Sequence, residues 1–167
     1  VPYSALRDKL IEEVKRQAGR KLPRQREELV GEIKAIRASW LEEWMPKLTS
    51  NEVPINPYRA IWELMHATEP SQTIVLHDSG SPRDEIVPFY QAVTPRGYVA
   101  FGNSTQLGYS LGLAMGAKLA APEKLVVNVM GDAAFGMTGM DVETAAREKI
   151  ATLTFLLNNS AMGNYEK

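Results

Sequence analysis

The sequence contains no cysteine, no excess of charge of either sign and no long apolar run. Without cysteine, disulfide frameworks, thiolate catalysis and zinc–thiolate sites are excluded. The 19 basic and 20 acidic residues leave no charge surplus that would attract nucleic acid, and no apolar run is long enough to span a membrane. We therefore expect a cytoplasmic protein whose partners include neither nucleic acid nor a membrane.

Two short apolar runs end in polar pairs. Residues 125–130 (LVVNVM) are followed by Gly131 and Asp132, and residues 151–157 (ATLTFLL) are followed by two asparagines. Such runs, rich in β-branched residues, are typical of buried parallel strands, and residues 140–149 between them indicate a helix. Both polar pairs are then expected at the carboxyl ends of strands, which is the edge where open α/β sheets bind ligands.

These polar residues suit a hard divalent cation. Mg²⁺ prefers oxygen ligands, and it is commonly held by one carboxylate, neutral oxygens and the phosphate oxygens of a cofactor. Asp132 offers the carboxylate, Asn159 offers an amide oxygen, and the backbone carbonyl of Ala161 is the best-placed third ligand. We therefore predict a metal site formed by these three residues.

Small residues beside the predicted metal site leave room for an anion. Ala133 and Ala134 keep their backbone N–H groups accessible, and Gly131 and Gly163 allow the backbone to approach a ligand closely. A diphosphate would fit there. Taken singly, a Gly-Asp pair or an Asn-Asn pair would indicate only a turn, so the prediction depends on their joint placement.

The combined pattern resembles the thiamine diphosphate signature, which opens with Gly-Asp-Gly or a variant and closes with Asn-Asn. Asp132 and Asn159 stand 27 positions apart, within the spacing of that family. Residues 131–145 (GDAAFGMTGMDVETA) are most similar to the cofactor-binding domain of the acetolactate synthase group of 2-oxo-acid decarboxylases and carboligases. The resemblance implies thiamine diphosphate and Mg²⁺ as cofactors.

Residues 97–124 resemble the glycine-rich helix that precedes the metal-binding strand in that family. The resemblance implies that Thr105 offers a backbone carbonyl to the aminopyrimidine, and that Leu107 is the bulky side chain that holds the cofactor bent. The residues themselves predict a tightly packed, buried helix, and both roles are compatible. The apolar residues at helical spacing are Leu107, Leu111, Ala114 and Leu119.

A third segment departs from the family pattern. Residues 73–76 predict a strand, and residues 77–82 predict its exit loop, where the family often carries a Gly-Gln-His-like sequence that touches the diphosphate. Here Gly80 is retained and Ser81 could donate one hydrogen bond, but Pro82 cannot. His77 could face the substrate, although a lone histidine at a strand end more often has a structural role.

The chain divides by composition near residue 50. Residues 1–50 are highly charged and predict two amphipathic helices broken near Leu22, which by resemblance form the tail of a middle domain and a linker. Residues 51–167 are expected to form the cofactor-binding domain, truncated at its C-terminus. There, strands that alternate with helices predict an α/β fold, a doubly wound and mainly parallel sheet with helices on both faces.

The resemblance implies an enzyme that decarboxylates or carboligates a 2-oxo acid. In the family, the glutamate that activates the cofactor comes from the pyrimidine-binding domain of a neighbouring subunit, so we expect a homo-oligomer and an inactive isolated fragment. Two alternatives are a non-catalytic scaffold subunit with the same fold and a Rossmann-type nucleotide-binding module. The latter requires a G-x-G-x-x-G turn after a strand, and no segment provides it.

Overall fold

The computed structural model describes residues 3–18, 25–100 and 106–162. They divide between residues 45 and 46 into two compact units. The assignment of the first 50 residues to a middle domain and linker stays a prediction. No helix in the described ranges is both long enough and apolar enough to cross a membrane.

The first unit is helical, as its amphipathic pattern predicts. It contains α1 (Tyr3–Ala18) and most of α2 (Gln25–Leu48), while the predicted break near Leu22 lies outside the described residues. Within α2, the rings of Trp40 and Trp44 pack 5.9 Å apart, which is the packing role expected of two tryptophans one turn apart.

The second unit is built on a four-stranded, entirely parallel sheet in the order β2-β1-β3-β4. Strands and helices alternate along the chain, so the predicted α/β fold class is confirmed. The elements in chain order are α3 (Pro57–Ala67), β1 (Thr73–His77), α4 (Ser81–Ile86), β2 (Tyr98–Val99), α5 (Tyr109–Ala120), β3 (Leu125–Gly131), α6 (Asp132–Thr138), α7 (Asp141–Arg147) and β4 (Leu153–Leu157).

The sheet is covered on both faces, as expected of a doubly wound fold. One face packs against α3 and α4, where Ile61 and Ile86 contact Val75 and Val127. The other face packs against α5 through a second cluster. Because β1 and the middle of β3 are buried on both sides, they show the continuous apolar runs from which the strands were predicted.

The order of the strands reverses between β1 and β3. From β1 the chain goes to its neighbour β2 on one side, and then returns through α5 to β3 on the other side. Loops that follow β1 and β3 therefore leave the sheet in opposite directions, which opens a crevice at the carboxyl ends of these two strands. Ligands of open α/β sheets bind in such crevices.

A capping asparagine and a proline mark the start of α3 in the sequence. The helix runs over Pro57–Ala67, and the Asn56 side chain caps it by accepting a hydrogen bond from the Tyr58 backbone N–H at 3.0 Å. Pro57 occupies the first helical position, where its missing N–H costs nothing because that group has no acceptor inside the helix.

Two helices differ from the sequence predictions. Residues 140–149 were predicted to form a helix between β3 and β4, and α7 lies there, but a further helix, α6, already begins at Asp132, so an exit turn at Gly131 and Asp132 is wrong. The glycine-rich helix begins only at Tyr109, since Gly108 has a left-handed backbone with φ of +87°. Leu119, expected on its buried face, is 68% exposed.

Candidate functional site

The ends of β1, β3 and β4 lie side by side at one edge of the sheet. His77 pairs with Val129, and Gly131 pairs with Leu157, so the residues that follow the three strands meet at the crevice between β1 and β3 and just beside it. The polar residues predicted at strand exits are therefore brought to a common edge, as the sequence analysis requires.

Asp132 stands at the start of α6 with its carboxylate available. It directly follows the last residue of β3 and is partly exposed. Among the described residues, none donates a hydrogen bond to the Asp132 carboxylate or forms an ion pair with it. A carboxylate without a protein partner at this edge is able to bind a cation that a ligand brings with it.

The two asparagines after β4 shape the next loop. The Ser160 N–H donates to Asn158 Oδ1 at 2.9 Å, and the Ala161 N–H donates to Asn159 Oδ1 at 3.0 Å. These are consecutive Asx turns, and Ser160 takes a positive φ of 55°. An amide oxygen accepts two hydrogen bonds, so Asn159 Oδ1 keeps one lone pair for a metal. The asparagine pair therefore forms the turn that such a pair indicates by itself.

The first turn of α6 carries the two alanines predicted to face an anion. Ala134 is buried and Ala133 is partly buried. The first N–H groups of an α-helix have no acceptor inside the helix, which suits the predicted role without testing it. At Gly131, a Cβ would meet Pro82 Cγ at 3.7 Å, so the loop after β1 lies directly against the end of β3.

The exit of β1 is much more tightly bonded than the sequence predicted. Asp78 is fully buried, and its carboxylate accepts hydrogen bonds from the Gly108 N–H at 2.9 Å and from the Ser110 hydroxyl at 2.6 Å. The Ser79 hydroxyl donates to the Gln106 carbonyl at 2.8 Å. Sequence reasoning gave Asp78 no role, because its partners lie about 30 residues away and form no local pattern.

These bonds hold Leu107, the residue predicted to bend the cofactor. Its neighbours on either side, Gln106 and Gly108, are both bonded to the exit of β1, and Leu107 itself is partly buried. Thr105 and Gly163 lie outside the described residues, so their predicted cofactor contacts have no structural description.

Gly80 and Ser81 join β1 to α4. Gly80 has φ of +83° and ψ of −153°, a conformation that is essentially restricted to glycine. Ser81 begins α4 and is partly exposed. Their predicted contact with a diphosphate stays a prediction.

His77 is buried at the end of β1. The side chain is 3% exposed, its Nδ1 lies 2.8 Å from the Asp78 carbonyl, and its ring packs 5.6 Å from the ring of Tyr98. The geometry favours the structural role over a role in contact with substrate. Burial raises the pKa of the Tyr98 hydroxyl, so this face of the sheet is poorly solvated.

The donor set fits a metal bound together with a diphosphate. Within the described ranges, no group of three or more His, Cys, Asp or Glu side chains could hold a metal ion. Protein side chains there do not form a complete metal cage. One carboxylate without a partner among the described residues, at the sheet edge where the asparagine loop also begins, instead suits Mg²⁺, which obtains several of its ligands from phosphates and water.

Comparison with known proteins agrees with this fit. Residues 78–167 match the family model described as "Thiamine pyrophosphate enzyme, C-terminal TPP binding domain". The chain is 32% identical over 119 residues to a probable acetolactate synthase of Mycobacterium bovis, with 70% of this chain and 21% of that protein covered. It is 30% identical over 119 residues to a 2-hydroxyacyl-CoA lyase of Arabidopsis thaliana, with the same coverage of 70% and 21%.

The chain thus spans about a fifth of the length of these relatives. The matched part begins at Asp78 and includes the exits of β1, β3 and β4. The chain therefore belongs to the family of thiamine pyrophosphate enzymes and carries their C-terminal cofactor-binding domain.

Proposed function

We propose that this chain holds the diphosphate and Mg²⁺ of thiamine diphosphate in an enzyme that decarboxylates or carboligates 2-oxo acids. The observation that carries the proposal is the Asp132 carboxylate, which has no partner in the described part of the chain and stands at the sheet edge where the Asn159 loop also lies. When bound, thiamine diphosphate supplies the electron sink for cleavage of a bond next to a carbonyl, and the protein supplies binding and orientation.

Different residues bind the metal, the diphosphate and the organic part of the cofactor. Asp132 supplies the negative charge for Mg²⁺, while the amide oxygen of Asn159 and the carbonyl of Ala161 complete the protein ligands. The diphosphate is held by backbone N–H groups in the first turn of α6 and at Gly163, with Gly80 and Ser81 on the opposite side of the crevice. Thr105 and Leu107 orient the organic part of the cofactor.

The names of two relatives support a proposal about the reaction class. One is named an acetolactate synthase and another a 2-hydroxyacyl-CoA lyase, so both carbon–carbon bond formation and cleavage occur among proteins similar to this chain. We propose a lyase or transferase of 2-oxo acids. The activating glutamate comes from the pyrimidine-binding domain of a neighbouring subunit, so the complete enzyme is a homo-oligomer and this chain alone is inactive.

Calorimetric titration of thiamine diphosphate into the full-length protein tests this proposal. With Mg²⁺ present, wild-type protein should bind and Asp132→Ala should lose binding by about a hundredfold or more, since the remaining neutral ligands cannot balance the dication. Asp141→Ala is a matched control, because Asp141 also begins a short helix and is exposed.

The outcomes separate the alternatives. Loss of binding in Asp132→Ala with normal binding in Asp141→Ala supports the proposal. Equal affinity of the two variants would overturn the metal assignment. A wild-type protein that binds no thiamine diphosphate at any Mg²⁺ concentration would favour the scaffold subunit instead.

A further inference from the structure

Asp78 is a fully buried carboxylate at the end of β1. Four groups donate hydrogen bonds to it, namely the N–H groups of Ser79, Gly108 and Ser110 and the Ser110 hydroxyl, at distances from 2.6 to 3.1 Å. In the part of the chain that the structure describes, no lysine, arginine or histidine forms an ion pair with it. Among the described residues, hydrogen-bond donors rather than cations surround this carboxylate.

Burying a carboxylate is unfavourable unless its oxygens are fully satisfied. Two of the four donors are the backbone N–H groups of Gly108, the residue before α5, and of Ser110 in its first turn, where a negative charge is favourable because the helix dipole is positive. Gly108 has a left-handed backbone, which turns its N–H towards Asp78 as α5 begins. The arrangement fixes the start of α5 on the end of β1.

The Asp78 backbone extends this connection to the metal-binding strand. Its N–H donates to the Val129 carbonyl of β3 at 2.8 Å, two residues before that strand ends. Two further hydrogen bonds connect the exit of β1 with the start of α5. The Ser79 hydroxyl donates to the Gln106 carbonyl, and the Tyr109 hydroxyl donates to the His77 carbonyl. Asp78 thus joins β3 to the segment of residues 106–110.

We propose that Asp78 is a positioning residue that fixes the distance between Leu107 and the diphosphate site at the end of β3. The inference rests on the proposed function, because Leu107 is the side chain that supports the bent cofactor. Asp78 itself touches neither the metal nor the diphosphate. It acts by holding the two cofactor-contacting segments in one register, and small displacements of reacting groups reduce rates steeply.

The substitution Asp78→Asn tests the proposal in the full-length protein. The variant keeps the shape of the side chain but replaces one acceptor oxygen with an NH₂ group that opposes the Gly108 and Ser110 donors. Asp84→Asn is the matched control, since Asp84 is an exposed carboxylate on α4 that pairs only with its neighbour Arg83.

The first readout needs no cofactor. Hydrogen–deuterium exchange at the amides of Gly108 and Ser110 should be faster in Asp78→Asn by about tenfold or more, because an NH₂ group replaces one of their two acceptor oxygens, while the amides of β4 should exchange at the wild-type rate. Unchanged exchange at residues 108–110 would overturn the anchoring role, whether or not the protein binds thiamine diphosphate.

The second readout separates positioning from a merely structural role. Below the unfolding temperature of the variant, kcat for carbon dioxide release from the 2-oxo acid that the wild-type protein converts should fall by about tenfold or more, whereas the Mg²⁺-dependent affinity for thiamine diphosphate should change much less. The near-ultraviolet circular dichroism of the bound cofactor should change as well. Wild-type kcat and spectrum in a folded Asp78→Asn protein would overturn the proposal.

Ser110→Ala keeps the test decisive if Asp78→Asn does not fold. This variant removes the hydroxyl that lies 2.6 Å from Asp78 and leaves no opposed donors. It should show the same changes in kcat and in amide exchange at smaller amplitude. A Ser110→Ala protein with wild-type amide exchange, kcat and circular dichroism would contradict the positioning role of Asp78. Failure of wild-type protein to bind thiamine diphosphate would instead overturn the proposed function.

Discussion

Two aspartates follow two neighbouring strands of the same sheet, yet their surroundings differ completely. Asp78 comes after β1, is fully buried and accepts hydrogen bonds from four donors. Asp132 comes after β3, is partly exposed and has no hydrogen-bond partner among the described residues. Both lie where an open α/β sheet binds its ligands.

The difference arises from the path of the chain after each strand. After Asp78, two residues precede α4, so the Asp78 carboxylate does not lie at the start of the helix that follows it. It accepts a hydrogen bond instead from Gly108, which precedes α5 and is 30 residues further along the chain. After Gly131, α6 begins at once, which leaves Asp132 at the open end of its own helix. The exit of β1 therefore holds the start of α5 in place, whereas the exit of β3 leaves its carboxylate accessible.

The largest predicted contrast is in stability. Asp78→Ala leaves the Gly108 and Ser110 donors buried without an acceptor, and it should lower the free energy of unfolding by about 3 kcal/mol or more. Asp132→Ala removes no described bond and should change that free energy by less than about 1 kcal/mol. Urea denaturation of both variants would measure the difference. Similar losses of unfolding free energy in the two variants would contradict the predicted difference between Asp78 and Asp132.

Leu107→Ala sharpens the comparison at the segment that Asp78 holds. If Leu107 supports the bent cofactor, kcat should fall by up to about a hundredfold, because the lost contact determines reactive geometry. The affinity for thiamine diphosphate should fall far less, because the metal and diphosphate contacts remain. Steady-state kinetics with a cofactor titration measures both quantities, and equal losses would make Leu107 a packing residue.

The glycines at the two exits should also differ. Gly80 has a backbone conformation that other residues avoid, so Gly80→Ala should destabilise the fold by about 1–3 kcal/mol although its Cβ would meet nothing within 4 Å. Gly131 has an ordinary extended backbone, and a Cβ there would make only van der Waals contacts. Thermal unfolding of Gly131→Ala should match the wild type, and equal destabilisation would contradict the strain argument.

The smallest predicted effect is a pH dependence at Glu85 on α4. Burial, together with the nearby charge of Asp84, raises the pKa of Glu85 above its ordinary value of 4.5, and its Oε2 has no hydrogen-bond partner. Ionised Glu85 therefore opposes folding at neutral pH, and the stability associated with its protonated form is lost as the pH rises through the raised pKa.

Glu85→Gln should consequently raise the melting temperature at pH 7 by roughly one degree, since the site is half exposed and the effect is screened. The advantage should disappear below about pH 4, where Glu85 is protonated in both the folded and unfolded states. Calorimetry across this pH range measures the difference. An advantage that stays constant with pH would show that the pKa of Glu85 is not raised.

Sequence patterns predicted the elements whose signals are local. The cap at Asn56 with Pro57 located α3 to the residue, and apolar runs located β1, β3 and β4 within two residues. The predicted strand ends also placed Asp132 and Asn159 at one sheet edge, where the pairing of Gly131 with Leu157 brings the two exits together, while their metal-binding roles stay predictions.

Features that depend on distant contacts could not be predicted in this way. Asp78 is bonded to residues about 30 positions further along the chain, so only the fold shows its role. The helix α6 was missed because Gly131 and Asp132 form a typical turn pair and Gly136 weakens the helical signal. Leu119 has helical spacing with buried residues, but Ala117 and Ala121 are the residues of that end of α5 that pack against the core, and Leu119 is left exposed.

The central claim is that Asp132 binds the metal, and electron paramagnetic resonance with Mn²⁺ in place of Mg²⁺ tests it most directly. With thiamine diphosphate present, the full-length protein should bind Mn²⁺ in proportion to the bound cofactor. With Asp132→Ala, the Mn²⁺ signal should remain that of an ion free in solution or bound to free cofactor. Asp141→Ala should behave as wild type. Protein-bound Mn²⁺ at wild-type affinity in Asp132→Ala would contradict the account.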